Sequence, residues 1–255
     1  MLKINRHEKI KQLLSENGSL LVSDACEILG CSDQTIRRDF QELEEQGVLK
    51  RIHGGAFIEA PEDKGVPIHL RSLLLPEEKR HMADITTDRF VGMGDVIMLD
   101  HSSTCDTLAR RLLESRTAAT IITNSVSIAE AFTHASVPGN LIFTGGKYNE
   151  RSGSFTGSDA LRCISSYFAD KAFISCSAID MDHGMLDTNE AHMDIRRAML
   201  DHAKERYLMV DHTKFDDRAS YIIGSFNRLS GIITDRKPDE AWCEYFRTNG
   251  INVIW

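Results

Sequence analysis

No apolar run in this 255-residue sequence approaches the ~20 residues that cross a bilayer, which excludes a membrane-spanning helix. The N-terminal MLKINRHEKI carries no apolar stretch after its charges, so a secretory leader is not expected. Cysteine is sparse and scattered: six residues, at 26, 31, 105, 163, 176 and 243, with no CxxC pair. Reduced thiols in a cytoplasmic protein are expected. Asp-His recurs at 100–101, 182–183, 201–202 and 211–212, yet no HExxH or equivalent spacing accompanies it. Those histidines read as solvated or capping groups, and no metal is expected. Internal repeats and low-complexity segments are missing too. Positive charge is not in excess: 30 Lys and Arg against 38 Asp and Glu leave a net −8. That balance excludes a protein that grips nucleic acid by bulk electrostatics.

What is present is concentrated in residues 32–57, SDQTIRRDFQELEEQGVLKRIHGGAF. Ile36, Phe40 and Leu43 recur at helical spacing, with Gln34, Thr35, Arg37, Arg38 and Gln41 turned the other way. Ser32 stands where an N-cap belongs and Gly47 where the helix should stop. Arg and Gln on such a face match guanine and adenine edges in the major groove. A preceding helix, across the turn Gly30-Cys31-Ser32, carries Val22, Ala25, Cys26 and Leu29. A first helix over 5–17 turns Ile10, Leu13 and Leu14 inward. Val48–Ile58 alternates around the tight turn His53-Gly54-Gly55, as a hairpin or wing does. Together these predict a winged helix-turn-helix. Its candidate DNA contacts are Ser32, Gln34, Thr35, Arg37, Arg38, Gln41, Lys50, Arg51 and His53. On charge alone, Arg37 and Arg38 read equally well as a solvated face paired with Asp33 and Glu42. Residues 1–57 hold eight Lys and Arg against nine Asp and Glu. A lone copy would therefore bind double-stranded DNA weakly, and a homo-oligomer (dimer or tetramer) reading paired half-sites is expected.

EAPEDKGVP (59–67) is polar and rich in breakers, so a linker is placed over 59–75, after a first domain at 1–58. From 76 to 255 the texture changes. Short apolar runs recur at Val96–Leu99, Thr120–Thr123, Leu141–Thr144, Lys171–Ser175, Tyr207–Val210, Gly231–Thr234 and Asn252–Ile254. Between most of them lie amphipathic stretches such as Thr104–Ser115, Ser127–Ala135, Ala160–Phe168 and Ala191–Glu205. This alternation predicts an open, mostly parallel α/β sheet. The strand ends then share one edge: Asp100-His101-Ser102-Ser103-Thr104, Thr123-Asn124-Ser125, Gly145-Gly146-Lys147 and Asp211-His212-Thr213-Lys214. Hydroxyls and glycines at helix starts expose backbone N–H groups to an anion. Lys214 adds a point charge, and Asp100 and Asp211 can accept from hydroxyls. A phosphorylated sugar fits this chemistry. Each piece alone also reads as a plain helix cap or turn.

TIRRDFQELEEQGVLKRIHGGA (35–56) closely resembles the signature of the DeoR family of bacterial transcriptional regulators. LDHSSTCDTLARRL (99–112), TNS (123–125), TGG (144–146), DKAFISCSAID (170–180) and VDHTKF (210–215) follow in that family's order. SSTC and FISCSAID resemble its deoxyhexose (fucose-type) branch. The resemblance implies a winged helix-turn-helix followed by an α/β effector domain similar to ribose-5-phosphate isomerase. It also implies control of a sugar-catabolic operon, as a repressor that a phosphorylated sugar releases. By position it implies effector contacts at Asp100, Ser102, Ser103, Thr104, Thr123, Asn124, Gly145, Gly146, Glu190, Asp211 and Lys214. Glu190 also reads as a mere helix-start charge. No cofactor beyond the sugar is implied, and the expected location is the cytoplasm, on the nucleoid. The chain departs from the family at His101-Ser102-Ser103-Thr104, where Gly-Thr-Thr is common after the first strand's Asp, and at Phe40, where Leu is usual. Two rivals stand beside this reading. One is a sugar-phosphate isomerase using Glu190, Asp211 and Lys214; the other is a redox sensor working through Cys105.

Overall fold

The computed structural model describes residues 2–59, 65–135 and 139–255. They divide into two units, one up to Leu74 and one from Leu75 onward. In the first, α1 (Lys3–Asn17) buries Ile10, Leu13 and Leu14, one apolar stripe at 3–4-residue spacing. It stops at Gly18, whose left-handed backbone returns its N–H to Leu14. β1 (Ser19–Leu21) runs into α2 (Val22–Leu29), and Gly30 (φ 62°) ends that helix. Ser32 caps α3 (Asp33–Glu45) through the Thr35 amide. β2 (Lys50–Ile52) and β3 (Gly55–Phe57) form the wing, with β3 paired to both β2 and β1.

The linker expected over 59–75 is corrected in its second half. α4 (Ile68–Leu73) is a helix of the first unit, with Leu70 fully buried and the His69 ring against the Ser19 hydroxyl. A Cβ on Gly55 would lie 3.0 Å from Leu70, so the glycine makes room for this helix. Residues 60–64 of the expected linker lie outside the described residues.

The second unit starts with α5 (Pro76–Phe90), β4 (Val96–Leu99), α6 (Ser103–Glu114), β5 (Thr120–Thr123), α7 (Val126–Thr133) and β6 (Asn140–Phe143). A hairpin of β7 (Lys147–Asn149) and β8 (Ser154–Thr156) follows, then α8 (Ser158–Ser165) and β9 (Ala169–Ile174). Next come β10 (Ala178–Asp180), β11 (Gly184–Asp187), α9 (Glu190–Asp201) and β12 (Ala203–Met209). β13 (Tyr221–Gly224), β14 (Gly231–Ile233), α10 (Glu240–Thr248) and β15 (Val253–Ile254) come last.

Seven strands, in the order β15-β14-β12-β9-β4-β5-β6, make one sheet, and every pairing in it is parallel. Each contains or lies within one of the seven apolar runs, give or take a terminal residue. Both faces are covered, as such runs require. Ile97 and Leu99 pack with Met82, Leu108 and Phe173 on the side of α5 and α6. Met98 packs with Ile164, Ile195 and Trp242 on the side of α8, α9 and α10. Strand order reverses between β4 and β9. From β4 the chain steps outward through β5 and β6, then crosses back to β9 and proceeds the other way. The carboxyl ends of strands flanking such a reversal form the crevice where open α/β sheets hold ligands.

Two elements differ from expectation. The helix read over 191–205 stops at Asp201, because Ala203 to Leu208 pair with β9 as strand. A small antiparallel sheet, β10-β11-β13, stands beside the main one.

Candidate functional site

The exposed face of α3 carries Gln34, Arg37, Arg38 and Gln41, with Ser32 exposed at its start and Thr35 half-buried. Lys50, Arg51 and His53 are exposed on the wing. The Ser32 hydroxyl serves the Thr35 amide (3.4 Å) and hydroxyl (2.9 Å). Arg37 pairs with Asp33 (2.5 Å), Arg38 with Glu42 (3.5 Å), Arg51 with Glu44 (2.6 Å) and Lys50 with Glu59 (2.5 Å). The solvated-face reading is therefore true of this state. Exposed pairs of this kind are worth about 0–1 kcal/mol, so a DNA phosphate or base edge can displace them.

What aims α3 is a buried residue the apolar-stripe reading passed over. Asp39 is 2% exposed and receives Arg6 (2.8 Å to Oδ1) and the His7 ring (3.1 Å), both from α1. Burial alone would push its carboxyl up, but the bonds from Arg6 and His7 outweigh that and hold it below the usual range. Such a carboxylate stabilises the fold above its unfolded value of ~3.9 and loses that contribution as pH falls through its lower folded value. Asp39→Asn, which strands Arg6, should cost about 3 kcal/mol at neutral pH. Amide exchange of α1 and α3 in the full chain reads this as lost protection. The loss should shrink as pH falls below ~3.9 and through the lower folded value, where wild type loses the same contribution. Equal protection in both proteins at pH 7 would remove the clamp.

The second cluster lies at the strand reversal. Asp100 follows β4 and is completely buried. Its Oδ2 accepts from Arg196 Nε of α9 (2.6 Å) and from the Ser175 amide after β9 (3.1 Å), while Oδ1 accepts from the Ser102 amide (2.9 Å). Arg196 also pairs with Asp187 at the end of β11. Burial would raise the Asp100 carboxyl, but the Arg196 charge and the Ser102 bonds hold it below the usual range. The role first expected for Asp100, accepting from ligand hydroxyls, is thereby corrected: both its oxygens are engaged in fixing the loop. The Ser102 hydroxyl caps α6 through the Cys105 amide (3.1 Å), and Ser103 and Thr104 are buried in that helix's first turn. Thr123 Oγ1 accepts from the Ser125 amide (3.1 Å). Asn124 donates to the Phe155 carbonyl (2.9 Å) and lies 3.5 Å from His101 Nδ1. Its Oδ1 is buried without a hydrogen-bond partner among the described residues. The His101 ring sits 4.2 Å from that of His192 on α9.

The remaining candidates are placed less uniformly. Gly146 (φ 115°) is structural, because a Cβ there would lie 2.6 Å from the Thr156 carbonyl; Gly145 (φ 62°) faces open space. Asp211 is buried and caps a short turn at His212–Lys214 through the Thr213 amide (2.9 Å), and His212 is held by Asp235 (2.8 Å). Lys214 is half-buried, has no ion pair among the described residues, and its charge reaches Cys176, the residue after Ser175. Glu190 is exposed at the start of α9, where it reads as a helix-start charge. Arg196, Asp187 and His192 were not foreseen, and His101, expected as a solvated or capping group, is buried. The available signal was α9 itself, where His192, Ile195, Arg196 and Met199 share one inward stripe. Cys105 is fully buried and its thiol is pushed well up, first by burial and then by Asp100, which overturns the redox reading at that residue. Among the described residues no group of three His, Cys, Asp or Glu is placed to hold a metal.

A winged helix-turn-helix joined to an α/β unit with a buried polar cluster at its strand reversal defines a DNA-binding regulator with a sensor domain. The chain belongs to the DeoR family: residues 6–61 match the DeoR-like helix-turn-helix domain and residues 75–236 the DeoR C terminal sensor domain. It is 27% identical to the HTH-type transcriptional regulator IolR of Bacillus subtilis, over 99% of both chains. It is 29% identical to the glycerol-3-phosphate regulon repressor of Escherichia coli, over 93% of both. Among solved structures it resembles ribose 5-phosphate isomerase A of Methanocaldococcus jannaschii, 17% identical over 55% of this chain and 54% of that one, with a TM-score of 0.39. The relatives are regulators, so the isomerase alternative is set aside: the chain is a transcriptional regulator and not an enzyme.

Proposed function

We propose that this regulator represses a sugar-catabolic operon and that a phosphorylated sugar, bound at the β4/β9 crevice, releases it from the operator. One observation carries the sensor half. Asn124 Oδ1 is buried without a partner among the described residues, beside the starts of α6 and α7, where amides favour an anion. In this reading Ser103, Thr104, Thr123 and Asn124 meet sugar hydroxyls, and Gly145 leaves space. Lys214 supplies charge to the phosphate, while Asp100, Ser102, Gly146 and Asp211 hold the loops. Gln34, Thr35, Arg37, Arg38 and Gln41 read base edges, Ser32 sets their helix, and Lys50, Arg51 and His53 meet phosphates. The near-neutral reading head calls for a homo-oligomer on paired half-sites, acting at the nucleoid in the cytoplasm.

The ligand test is thermal unfolding of the full chain against a panel of hexose, deoxyhexose, pentose and polyol phosphates. A true effector at 100 times its dissociation constant adds about 2.7 kcal/mol of stability. It should also lower affinity for a duplex carrying the promoter upstream of the gene. A panel without a shift, on protein that still binds that duplex, would overturn the sensor half alone.

A further inference from the structure

The two cysteines of the reading head are not independent. Cys26 lies in the last turn of α2 and Cys31 just past it, with left-handed Gly30 between. The Cys31 amide donates to the Cys26 carbonyl at 3.3 Å. In this helix ending, side chains at those two positions pack on each other. Bond geometry across that contact holds the Cα atoms roughly 5–7 Å apart, largely within the span a disulfide bridges. Both residues are half-buried against the same apolar cluster. Burial pushes the Cys26 thiol up, and Asp33 and Cys31 push it the same way. The Cys31 thiol donates to the Leu29 carbonyl (3.4 Å), and it is also within reach of Arg6, the residue that holds Asp39 of α3. Cys105 and Cys176, by contrast, are sealed in the second unit's core, Cys176 pushed up to about 12 chiefly by burial.

We propose that Cys26 and Cys31 form a reversible disulfide when a hydroperoxide reaches the reading head, and that this weakens its grip on DNA. The Cys31 thiolate, beside the Arg6 guanidinium, attacks one peroxide oxygen. The O–O bond breaks, the leaving hydroxide takes a proton to become water, and Cys31 is left as a sulfenic acid. Cys26 sulfur, giving up its proton, attacks that sulfur; the S–OH bond breaks and the departing hydroxide leaves as a second water. Two thiols thus lose two electrons and two protons, and one hydrogen peroxide becomes two waters. The new bond draws the Cys31 sulfur away from Arg6 and Leu29. Ser32, the cap of α3, is the next residue, so the first turn bearing Gln34 and Thr35 must re-aim.

The DNA effect rests on the reading of α3 given above; the disulfide does not. Reduced full-length protein is treated with a small excess of hydrogen peroxide and digested with trypsin. Residues 12–37 fall in one peptide that holds both cysteines. That peptide should lose two hydrogens, regain them with dithiothreitol, and keep them in Cys26→Ser or Cys31→Ser. Oxidised wild type should bind the promoter duplex about tenfold or more weakly, as loss of one base contact would, and the double Ser variant should not respond. A peptide of unchanged mass, a bond to another cysteine, or undiminished binding by the oxidised protein overturns the proposal. If reduced protein ignores the duplex, the reading of α3 fails, while the peptide mass still decides whether the pair closes.

Discussion

Arg196→Met should destabilise the second unit by about 3–5 kcal/mol at neutral pH, because it strands two buried carboxylates at once. In wild type one guanidinium, 3% exposed, lies between Asp100 and Asp187, themselves 0% and 2% exposed. Met matches the volume and leaves no donor. Trp242 and Trp255 are the chain's only tryptophans and both belong to the second unit, so intrinsic fluorescence in urea reports this unit alone. The pH dependence is the sharper test. In wild type the Asp100 carboxyl is held low, so its contribution is present above ~3.9 and lost as pH falls through its folded value. Without Arg196, burial dominates and the carboxyl moves above its unfolded value. The variant then carries a penalty that is full above that raised value and vanishes as pH drops to ~4. Wild type and variant should therefore converge in acid. Asp187→Asn leaves the Arg196–Asp100 pair balanced, and should cost only about 1–2 kcal/mol. Equal losses for the two variants would show that the three groups do not act as one unit.

This triad also marks where sequence reading reached its limit. The seven parallel strands were legible because burial on both faces leaves uninterrupted apolar runs, a purely local signal. The helix-turn-helix was legible for the same reason: the spacing, cap and stop of its second helix all fall within the sixteen residues from Ser32 to Gly47. Asp100 and Arg196 are 96 residues apart, and only the crossing from β6 back to β9 brings α9 over the β4 loop. Asp100 therefore read as an open acceptor, when its partners were distant. Asp39 is a different failure. It lies three residues after Ile36 and four before Leu43, squarely on the buried stripe, and its charge kept it out of a stripe sought by apolar residues alone. A charged residue on an inward stripe is better read as half of a pair, and the same rule would have found Arg196. α4 was hidden by its polar, breaker-rich approach, and β10, β11 and β13 by their shortness.

Lys214→Ala should leave operator binding intact and raise the sugar phosphate concentration for half release about 30-fold. Lys214 is half-buried just after β12 with no ion pair among the described residues, whereas Arg196 is already engaged by two carboxylates. In the proposed site Lys214 is therefore the cation left to meet the phosphate. Removing one charge-assisted hydrogen bond costs about 2 kcal/mol, which is the 30-fold shift. In the proposed reading operator affinity without sugar belongs to α3 and the wing, and the substitution touches neither. Effector and operator are linked only through the difference in sugar affinity between bound and released forms. If that difference is about 3 kcal/mol, saturating sugar weakens the operator complex roughly 150-fold. Lys214→Ala should keep that plateau and shift only the midpoint, provided the lost contact is equally strong in both forms. A lowered plateau would mean instead that Lys214 senses which form the protein is in. Weaker DNA binding with an unchanged midpoint would remove it from the sugar site altogether. Titrations of a labelled promoter duplex, with sugar phosphate varied at fixed protein, separate these three results.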